Sequence, residues 1–494
     1  MRTNPRNSLL LAFALALLTA SCSSGGETST TTTSQPPEEA TVTSTEPPTD
    51  TTTSTTSPTT PAEPEAEIWS GDLAGQVVEF QFIVDDAGTI SGLAGSPTEE
   101  TPDVPITGAV IDGAVTINIA AAAARFEGEV TGDTMTGTWY QSGAELPAIF
   151  ERQTEPTVLA RPQEPTPPFP YNATDVRFEN GDISLAGTLV VPEGDGPFTA
   201  VVLTSGSGSQ DRDETIVGHK PFLVLSDALA LAGIASLRFD DRGVGGSTGD
   251  PTGATTADLA TDSAAAVTYL AEDGRFDSIG IVGHSEGGII GPMVANGTDL
   301  INYAVLLAGP GLPGLEVLLR QTEDLMRVEG SSEADIAWQL EWRRAVMEVS
   351  ASDLSNDDAA AEIETIVSTA LNDPPADVSE PLDPSLTEQF VVAFTDPWMR
   401  FFLAYDPAPA LNDLDVPALA LIGSLDLQVS AEENIPALES ALATNTGATV
   451  SELENLNHLF QTAETGAVSE YGRIEETFSP AALDLIADWI LEHS

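Results

Sequence analysis

Short apolar runs recur through the second half of the chain, and stretches with a helical pattern lie between them. The runs have the length and the boundaries of buried parallel strands. Residues 258–270 and 480–491 instead repeat apolar positions at helical spacing. This alternation predicts a doubly wound, mostly parallel sheet for residues 171–494, opened by a hairpin at Asn180-Gly181. The runs lie at residues 200–203, 234–239, 279–282, 304–308, 418–422 and 449–453.

The regular spacing of these runs breaks once. Roughly a hundred residues separate the run at 304–308 from the run at 418–422, far more than an ordinary connection needs. This interval is rich in helix formers and in charged residues. We therefore predict a helical lid inserted into the domain at about residues 310–405.

Residues 68–152 have a different pattern. Apolar and polar positions alternate in short stretches such as 115–119, and turn sequences such as Asp112-Gly113 separate them. The pattern predicts a small all-β barrel or sandwich, without histidine or cysteine and so without an expected catalytic or metal role. Its aromatic residues fall on apolar strand positions, which favours a core over a ligand platform. They are Trp69, Phe80, Phe82, Phe126 and Trp139.

The N-terminus has the features of an export signal. Arg2 and Arg6 precede an apolar run at residues 9–18 that is too short to span a membrane, and Cys22 follows. Cys22 resembles the lipid acceptor of a bacterial lipoprotein, although Thr19 stands where such leaders usually have leucine. We predict a lipoprotein-type leader over residues 1–22, with plain secretion and an unmodified cysteine as the alternative. Both place the protein outside the cytoplasm.

Two polar segments connect these units. Residues 23–67 consist mainly of Thr, Ser, Pro and Glu and cannot bury enough apolar surface to fold, so we predict a disordered tether there. Residues 153–170 are rich in proline and predict a linker between the all-β domain and the larger domain. The all-β domain is then either a spacer or a docking module.

The charge of the chain limits its partners. It carries 17 basic and 77 acidic residues and a net charge of -60. Such a surface repels nucleic acid and anionic lipid, so we expect no nucleic acid partner and membrane contact only through the lipid anchor. The acidity either keeps the surface hydrated in salty surroundings or attracts a cationic substrate. Because Cys22 is the only cysteine, we expect no disulfide and no thiolate metal site in the mature protein.

The strongest chemical signal is Gly283-His284-Ser285-Glu286-Gly287. It follows the strand-like run at 279–282 and opens a helix-like run. A serine in a sharp strand-to-helix turn needs glycines two residues to either side, because side chains there would collide with the neighbouring strand and helix. We therefore predict Ser285 as a nucleophile and the backbone N–H of Glu286 as a donor to the developing oxyanion.

A serine hydroxyl needs a general base, and the chain has four histidines. His284 adjoins the serine, where we expect the backbone to turn its side chain away, and His493 is one residue from the terminus. His219 lies early in the domain, where it lines the cleft at most. His458 follows the last predicted strand, in a loop at the carboxyl edge of the sheet, and is the predicted base.

The acid that orients the base is expected between serine and histidine in the chain. Asp426 stands just past the run at 418–422, so it emerges at the same edge as Ser285 and His458. Asp413 and Asp415 precede that run and lie at the wrong end. We predict Asp426 as the acid, with a nearby carboxylate such as Glu454 as the alternative.

The second oxyanion donor is expected in the loop after the first central strand, residues 204–209. Small residues there let the backbone approach the substrate. The N–H of Ser207 is the first choice and that of Gly206 the second. The charged residues 210–214 either form a solvated rim or brace this loop.

Four sequence blocks together carry a family resemblance, namely residues 205–208 with 210–213, residues 238–247, residues 283–288 and residues 456–460. The chain resembles a bacterial branch of α/β-hydrolases that includes EstD-like carboxylesterases and sequences described as serine aminopeptidase or dienelactone hydrolase. The resemblance implies the α/β-hydrolase fold, an all-β module in front, and esterase activity on short or medium acyl esters through an acyl-enzyme, without metal or other cofactor. Some relatives begin the oxyanion loop with His-Gly, where this chain has Ser205-Gly206.

Three functions remain open. The first is an esterase in which Ser285, Asp426 and His458 cleave a small-molecule ester. The second is a peptidase with the same triad, whose lid would need carboxylates for the substrate amine, with Glu316, Glu323 and Asp324 available. The third is a non-catalytic surface module that binds through the all-β domain. In the block Asp240-Asp241-Arg242-Gly243 we expect a structural turn with a buried ion pair, not a catalytic group.

Overall fold

The computed structural model describes residues 66–73, 76–97, 104–141, 144–157, 159–379 and 381–494. The predicted leader, Cys22 and nearly all of the predicted tether lie outside these residues. No helix within the described ranges combines the length and the hydrophobicity that crossing a membrane requires.

The first folded unit is a closed antiparallel barrel of eight strands. Each strand pairs with the next, and β1 closes on β8, where Trp69 is the partner of Arg152. The five predicted core aromatics are all buried, and Phe80 packs on Phe150 with ring centroids 4.7 Å apart. The interior is therefore filled by side chains. The strands are β1 (Glu67–Leu73), β2 (Gln76–Val84), β3 (Thr89–Gly95), β4 (Val104–Ile111), β5 (Ala114–Ile119), β6 (Ala124–Thr131), β7 (Thr134–Gln141) and β8 (Ala144–Gln153).

The second unit is built on an eight-stranded sheet in the order β16-β15-β14-β13-β11-β12-β10-β9. The strands β9 and β10 form the predicted hairpin, and β10 pairs with β12 antiparallel. The other pairings are parallel, so these strands share one carboxyl edge. The strands are β9 (Tyr171–Asn180), β10 (Ile183–Pro192), β11 (Phe198–Thr204), β12 (Ala235–Phe239), β13 (Phe276–His284), β14 (Tyr303–Leu307), β15 (Ala418–Gly423) and β16 (Ala448–Leu453).

Helices cover both faces of this sheet. One face packs against α2, α3 and α10, with Leu270, Val294 and Leu438 in a common apolar core. The other face packs against α1 and α12, which bury Leu225 and Ile486. The predicted doubly wound architecture is confirmed. These helices are α1 (Pro221–Leu231), α2 (Thr256–Asp273), α3 (Glu286–Gly297), α10 (Ala431–Ala441) and α12 (Pro480–His493).

Five α-helices occupy the described part of the interval where we predict the lid. They enclose an apolar core of their own that includes Trp338, Trp342 and Phe394. Ile289 of α3 belongs to the same cluster, so the lid packs on the helix that follows the predicted nucleophile. The lid helices are α4 (Gly314–Val328), α5 (Glu333–Ser350), α6 (Asn356–Asn372), α7 (Thr387–Thr395) and α8 (Pro397–Ala404); two short helices, α9 (Ala408–Asn412) and α11 (Val468–Tyr471), lie outside it.

The proline-rich segment between the two units is bound to the larger one. Arg161 Nε donates to the carbonyl oxygen of Gly218 at 2.7 Å, and its Nη2 donates to that of Gly472 at 2.9 Å. Gln163 Nε2 donates to the carbonyl oxygen of Phe478 at 2.6 Å. The predicted linker is therefore tied to the segment that follows the loop of His458.

Candidate active site

Ser285 occupies a sharp turn between β13 and α3. Its backbone angles are φ 54 and ψ -115, a conformation that residues with a side chain rarely adopt. Helix α3 starts at the next residue, Glu286, so the serine stands at a helix N-terminus. This is the geometry of a nucleophile elbow, in which the strained turn presents the hydroxyl above the sheet edge.

The glycines of the elbow are required by close backbone approaches. A Cβ on Gly283 would collide with the carbonyl group of Gly287, and a Cβ on Gly287 would collide with the carbonyl oxygen of Thr204. A Cβ on Gly288 would meet the Cα of Gly309. The predicted reason for these glycines agrees with the packing around the turn.

The predicted acid and base form a buried pair. His458 Nδ1 lies 2.8 Å from Asp426 Oδ2, and both side chains are buried. The other oxygen, Oδ1, accepts the backbone N–H groups of Gln428 and Val429, each at 2.8 Å. These two hydrogen bonds to Oδ1 hold the carboxylate in place, and the carboxylate in turn fixes the orientation of the imidazole. Glu454, the alternative acid, is exposed.

The structure brings this pair to the elbow through His284. The rings of His284 and His458 contact each other, with centroids 4.8 Å apart, and His284 directly precedes Ser285. His284 Nε2 lies 2.9 Å from the carbonyl oxygen of His458. Its ring therefore points into the protein, as expected from the turn, and joins the elbow to the loop of the predicted base.

The two remaining histidines, His219 and His493, make structural contacts. His219 does not line a cleft, because it is fully buried between Thr477 and the carbonyl oxygen of Tyr471, each 2.9 Å from a ring nitrogen. Burial lowers the pKa of His219 to about 4, and the charge of Arg161 adds to this effect. His493 stacks on Trp489 near the C-terminus.

The loop after β11 lies directly against the predicted nucleophile, Ser285. A Cβ added to Gly206 would be 3.1 Å from the Cβ of Ser285. The N–H of Gly206 already donates to Glu214 Oε1 at 2.7 Å, so it is engaged within the protein. The backbone N–H of Ser207, the first choice from the sequence, therefore remains the predicted second donor to the oxyanion.

The charged residues after this loop act as a brace. Arg212 binds both carboxylate oxygens of Asp240, through Nε at 2.9 Å and Nη2 at 2.8 Å. Asp213 forms an ion pair with Arg238. Of the two sequence interpretations of residues 210–214, the brace agrees with these contacts and the solvated rim does not.

The block that follows β12 is a buried turn, as expected. Arg242 Nε lies 2.7 Å from Asp262 Oδ2. Asp241 accepts the N–H of Gln210 at 2.9 Å and the hydroxyl of Ser205 at 3.3 Å. Burial raises the pKa of Asp241 to about 8, because a charged carboxylate is poorly solvated there.

One lid contact at the site has no signal in the sequence. Trp398 Nε1 of α8 donates to Glu286 Oε1 at 2.8 Å, and the Glu286 side chain is buried. Burial raises the pKa of Glu286, while its polar neighbours Thr256, Trp398 and Ser207 act in the opposite direction. Glu286, whose N–H is a predicted oxyanion donor, is thus also attached to the lid through its side chain.

The lid carboxylates considered for an amine substrate all have arginine partners. Arg344 lies 3.5 Å from Glu316, Arg327 lies 2.9 Å from Glu323, and Arg320 lies 2.7 Å from Asp324. They are therefore not an unoccupied site for a substrate amine. Among the residues that the structure describes, no three His, Cys, Asp or Glu side chains cluster in a way that could hold a metal ion.

Comparison with known proteins places these residues in a wider context. A sequence model described as the alpha/beta hydrolase family matches residues 201–470. The chain is 25% identical over 319 residues to esterase EstD of Thermotoga maritima, and this alignment covers 64% of this chain and 68% of that protein. It is similar in structure to an esterase of Pyrococcus furiosus, with 16% identity, a TM-score of 0.41, and coverage of 65% of this chain and 92% of that one. It is also similar in structure to a dienelactone hydrolase of Anabaena variabilis, with 16% identity, a TM-score of 0.37, and coverage of 66% of this chain and 99% of that one.

Proposed function

Because the chain belongs to the alpha/beta hydrolase family, we propose that it is a carboxylic ester hydrolase with Ser285 as its nucleophile and Asp426 and His458 as acid and base. The observation that carries this proposal is the positive-φ turn at Ser285, whose neighbour His284 contacts the His458 ring of a buried, hydrogen-bonded Asp426–His458 pair. The likeness to esterase EstD supports an ester as the substrate. We infer short to medium acyl groups from the sequence resemblance alone.

The reaction follows from the roles of these groups. Ser285 Oγ attacks the ester carbonyl carbon while the imidazole of His458 takes the hydroxyl proton. The backbone N–H groups of Glu286 and Ser207 stabilise the oxyanion of the tetrahedral intermediate. His458 then protonates the leaving alcohol, and an acyl-enzyme remains on Ser285. Water, deprotonated by His458, releases the acid and restores the serine.

We further propose that the reaction takes place outside the cytoplasm. The support is the leader sequence, with Arg2 and Arg6 before an apolar run and Cys22 after it. A lipid on Cys22 would hold the enzyme at the membrane surface. Full-length protein and Cys22→Ala should then partition differently between membrane and soluble fractions, whereas equal partitioning would contradict the anchor.

The proposed activity is tested with p-nitrophenyl esters and aminoacyl p-nitroanilides on wild type, Ser285→Ala and Ser226→Ala. Ser226 is a matched control, since it is a buried serine whose hydroxyl bonds to Ser236 at 2.6 Å. We expect ester turnover and fluorophosphonate labelling that only the Ser285 variant loses.

Turnover of nitroanilides alone would indicate a peptidase in place of an esterase. If wild type neither turns over either substrate class nor takes up the fluorophosphonate, the serine hydrolase mechanism is wrong and a non-catalytic role gains support.

A further inference from the structure

A second buried histidine–carboxylate pair lies beside the proposed triad. His284 Nδ1 is 2.9 Å from Glu214 Oε1. Glu214 ends the charged brace after β11, and His284 is the last residue of β13. The side chains are 3% and 8% exposed, so water cannot replace the contact between them.

This pair connects three loops that carry the proposed chemistry. The oxygen of Glu214 that contacts His284 also accepts the N–H of Gly206, at 2.7 Å, next to Ser207 in the oxyanion loop. On the other side of the ring, His284 Nε2 lies 2.9 Å from the carbonyl oxygen of His458. One carboxylate and one ring therefore link the oxyanion loop, the elbow and the loop of the general base.

The contacts of His284 determine its charge. Both ring nitrogens face acceptors, a carboxylate and a carbonyl oxygen, and only the imidazolium form has two N–H groups to donate. Burial by itself lowers the pKa of His284, but the charge of Glu214 and the two hydrogen bonds outweigh it, so the pKa is raised. The other titratable groups that face this ring are the His458 imidazole and, at longer range, Asp426.

We propose that Glu214 and His284 are positioning residues that act as a buried ion pair, with Glu214 holding the oxyanion loop and His284 holding the backbone of His458. This inference rests on the proposed ester hydrolase function and deepens it. Neither side chain touches the substrate or exchanges a proton in the reaction. Their part is to keep donor, nucleophile and base at fixed separations, since a displacement of the order of 1 Å is enough to reduce the rate by about 100-fold.

The catalytic test uses Glu214→Gln, His284→Asn and the double variant in the full chain. We expect kcat for a p-nitrophenyl ester to fall about 10- to 100-fold in each single variant, with KM changed less than about threefold, because substrate contacts remain. The double variant should lose little more than either single one, because the two residues act as one unit. In Glu214→Gln the loss of kcat should grow as the pH rises. Without the charge of Glu214 the pKa of His284 is lower than in wild type, so the ring keeps its second proton only at lower pH.

Asp262→Asn is the control. This variant breaks another buried ion pair, with Arg242 at 2.7 Å, and the two hydrogen-bond partners of Asp262, Arg242 and Asn180, lie outside the three loops. We expect it to lower Tm without a selective loss of kcat. If Glu214→Gln and His284→Asn keep kcat within about threefold of wild type, or lose activity only in proportion to Tm as this control does, the positioning role is refuted.

A measurement on the wild-type protein needs no substrate and separates this inference from the proposed function. In protein labelled with nitrogen-15 in its four histidine rings, the His284 signals, assigned by their loss in His284→Asn, should show both ring nitrogens protonated at a pH of about 6.5, where a free imidazole is only half protonated. A single protonated nitrogen would overturn the ion pair even in an active esterase. Two protonated nitrogens in a protein without turnover would uphold the pair and refute only the enzymatic function.

Discussion

Replacing Asp426 by asparagine tests the assignment of the acid. Asp426 Oδ2 contacts His458 Nδ1, and Oδ1 accepts two backbone N–H groups at 2.8 Å. Asparagine can keep its oxygen on the two backbone groups, so we expect the loop to fold. Its NH2 group then faces His458 Nδ1, which must act as an acceptor. The ring proton moves to Nε2, and the imidazole can no longer take the proton of Ser285.

The expected loss is large and confined to the chemical step. An acid of a catalytic triad changed to its amide lowers kcat by about 10,000-fold, which corresponds to about 5 kcal/mol of activation free energy. KM and Tm should change little. Steady-state hydrolysis of a p-nitrophenyl ester measures the first two, and thermal denaturation the third.

Glu454→Gln is the matched control, because Glu454 is the exposed alternative acid on the same side of the sheet. It should retain full activity. Our assignment would be wrong if Asp426→Asn kept kcat within about tenfold of wild type, or if Glu454→Gln were the variant that lost it.

Three further predictions concern stability. Gly287→Ala should abolish or severely reduce folding, judged by soluble yield and Tm, because its Cβ meets the backbone of Thr204; a variant with wild-type Tm would contradict the packing argument. Trp398→Phe removes the hydrogen bond to the buried carboxylate after the nucleophile and should cost about 1–3 kcal/mol in chemical denaturation. Trp342→Phe in the same lid is the control, because Trp342 Nε1 has no hydrogen-bond partner to lose. An equal loss of unfolding free energy in the two variants would count against a stabilising Trp398–Glu286 bond. Burial raises the pKa of Asp241 in the folded state to about 8, above its unfolded value, so the native state binds an extra proton and stability falls as pH rises from about 4 to 8. Asp241→Asn should therefore make Tm fall less steeply over this pH range. If Tm depends on pH as steeply in the variant as in wild type, the role assigned to Asp241 is refuted.

The sheet was predictable because its buried strands appear in the sequence as apolar runs that recur between helical stretches. All six apolar runs coincide with parallel strands to within three residues at either end. The proposed acid and base were predicted from this sheet, because loops after parallel strands meet at one edge. Asp426 and His458 indeed form the contact that this argument predicts.

The contacts between distant loops were not predictable in the same way. Glu286 and Trp398 are 112 residues apart, and Glu214 and His284 are 70 residues apart. Hydrophobic periodicity indicates that a position is buried, but it does not specify which polar side chain it meets. In this acidic chain a carboxylate such as Glu214 is one among 77 acidic residues, so its type alone carries little information. Arg161 illustrates the same point, since a proline-rich composition predicts a linker and says nothing of its hydrogen bonds to Gly218 and Gly472.

The strained turn at Ser285 shows how these distant contacts and the local sequence act together. A residue with a side chain in such a conformation costs about 1–3 kcal/mol, and it persists only where its surroundings determine it. The backbone N–H of Ser285 donates to the carbonyl oxygen of Leu307 on β14 at 2.8 Å, and its own carbonyl oxygen accepts the N–H of Gly288 at 2.9 Å. Both polar groups of the strained residue are thus bonded, one to the sheet and one to the helix. The glycines permit this turn and the sheet holds it, so the position of the Ser285 hydroxyl is a property of the whole domain.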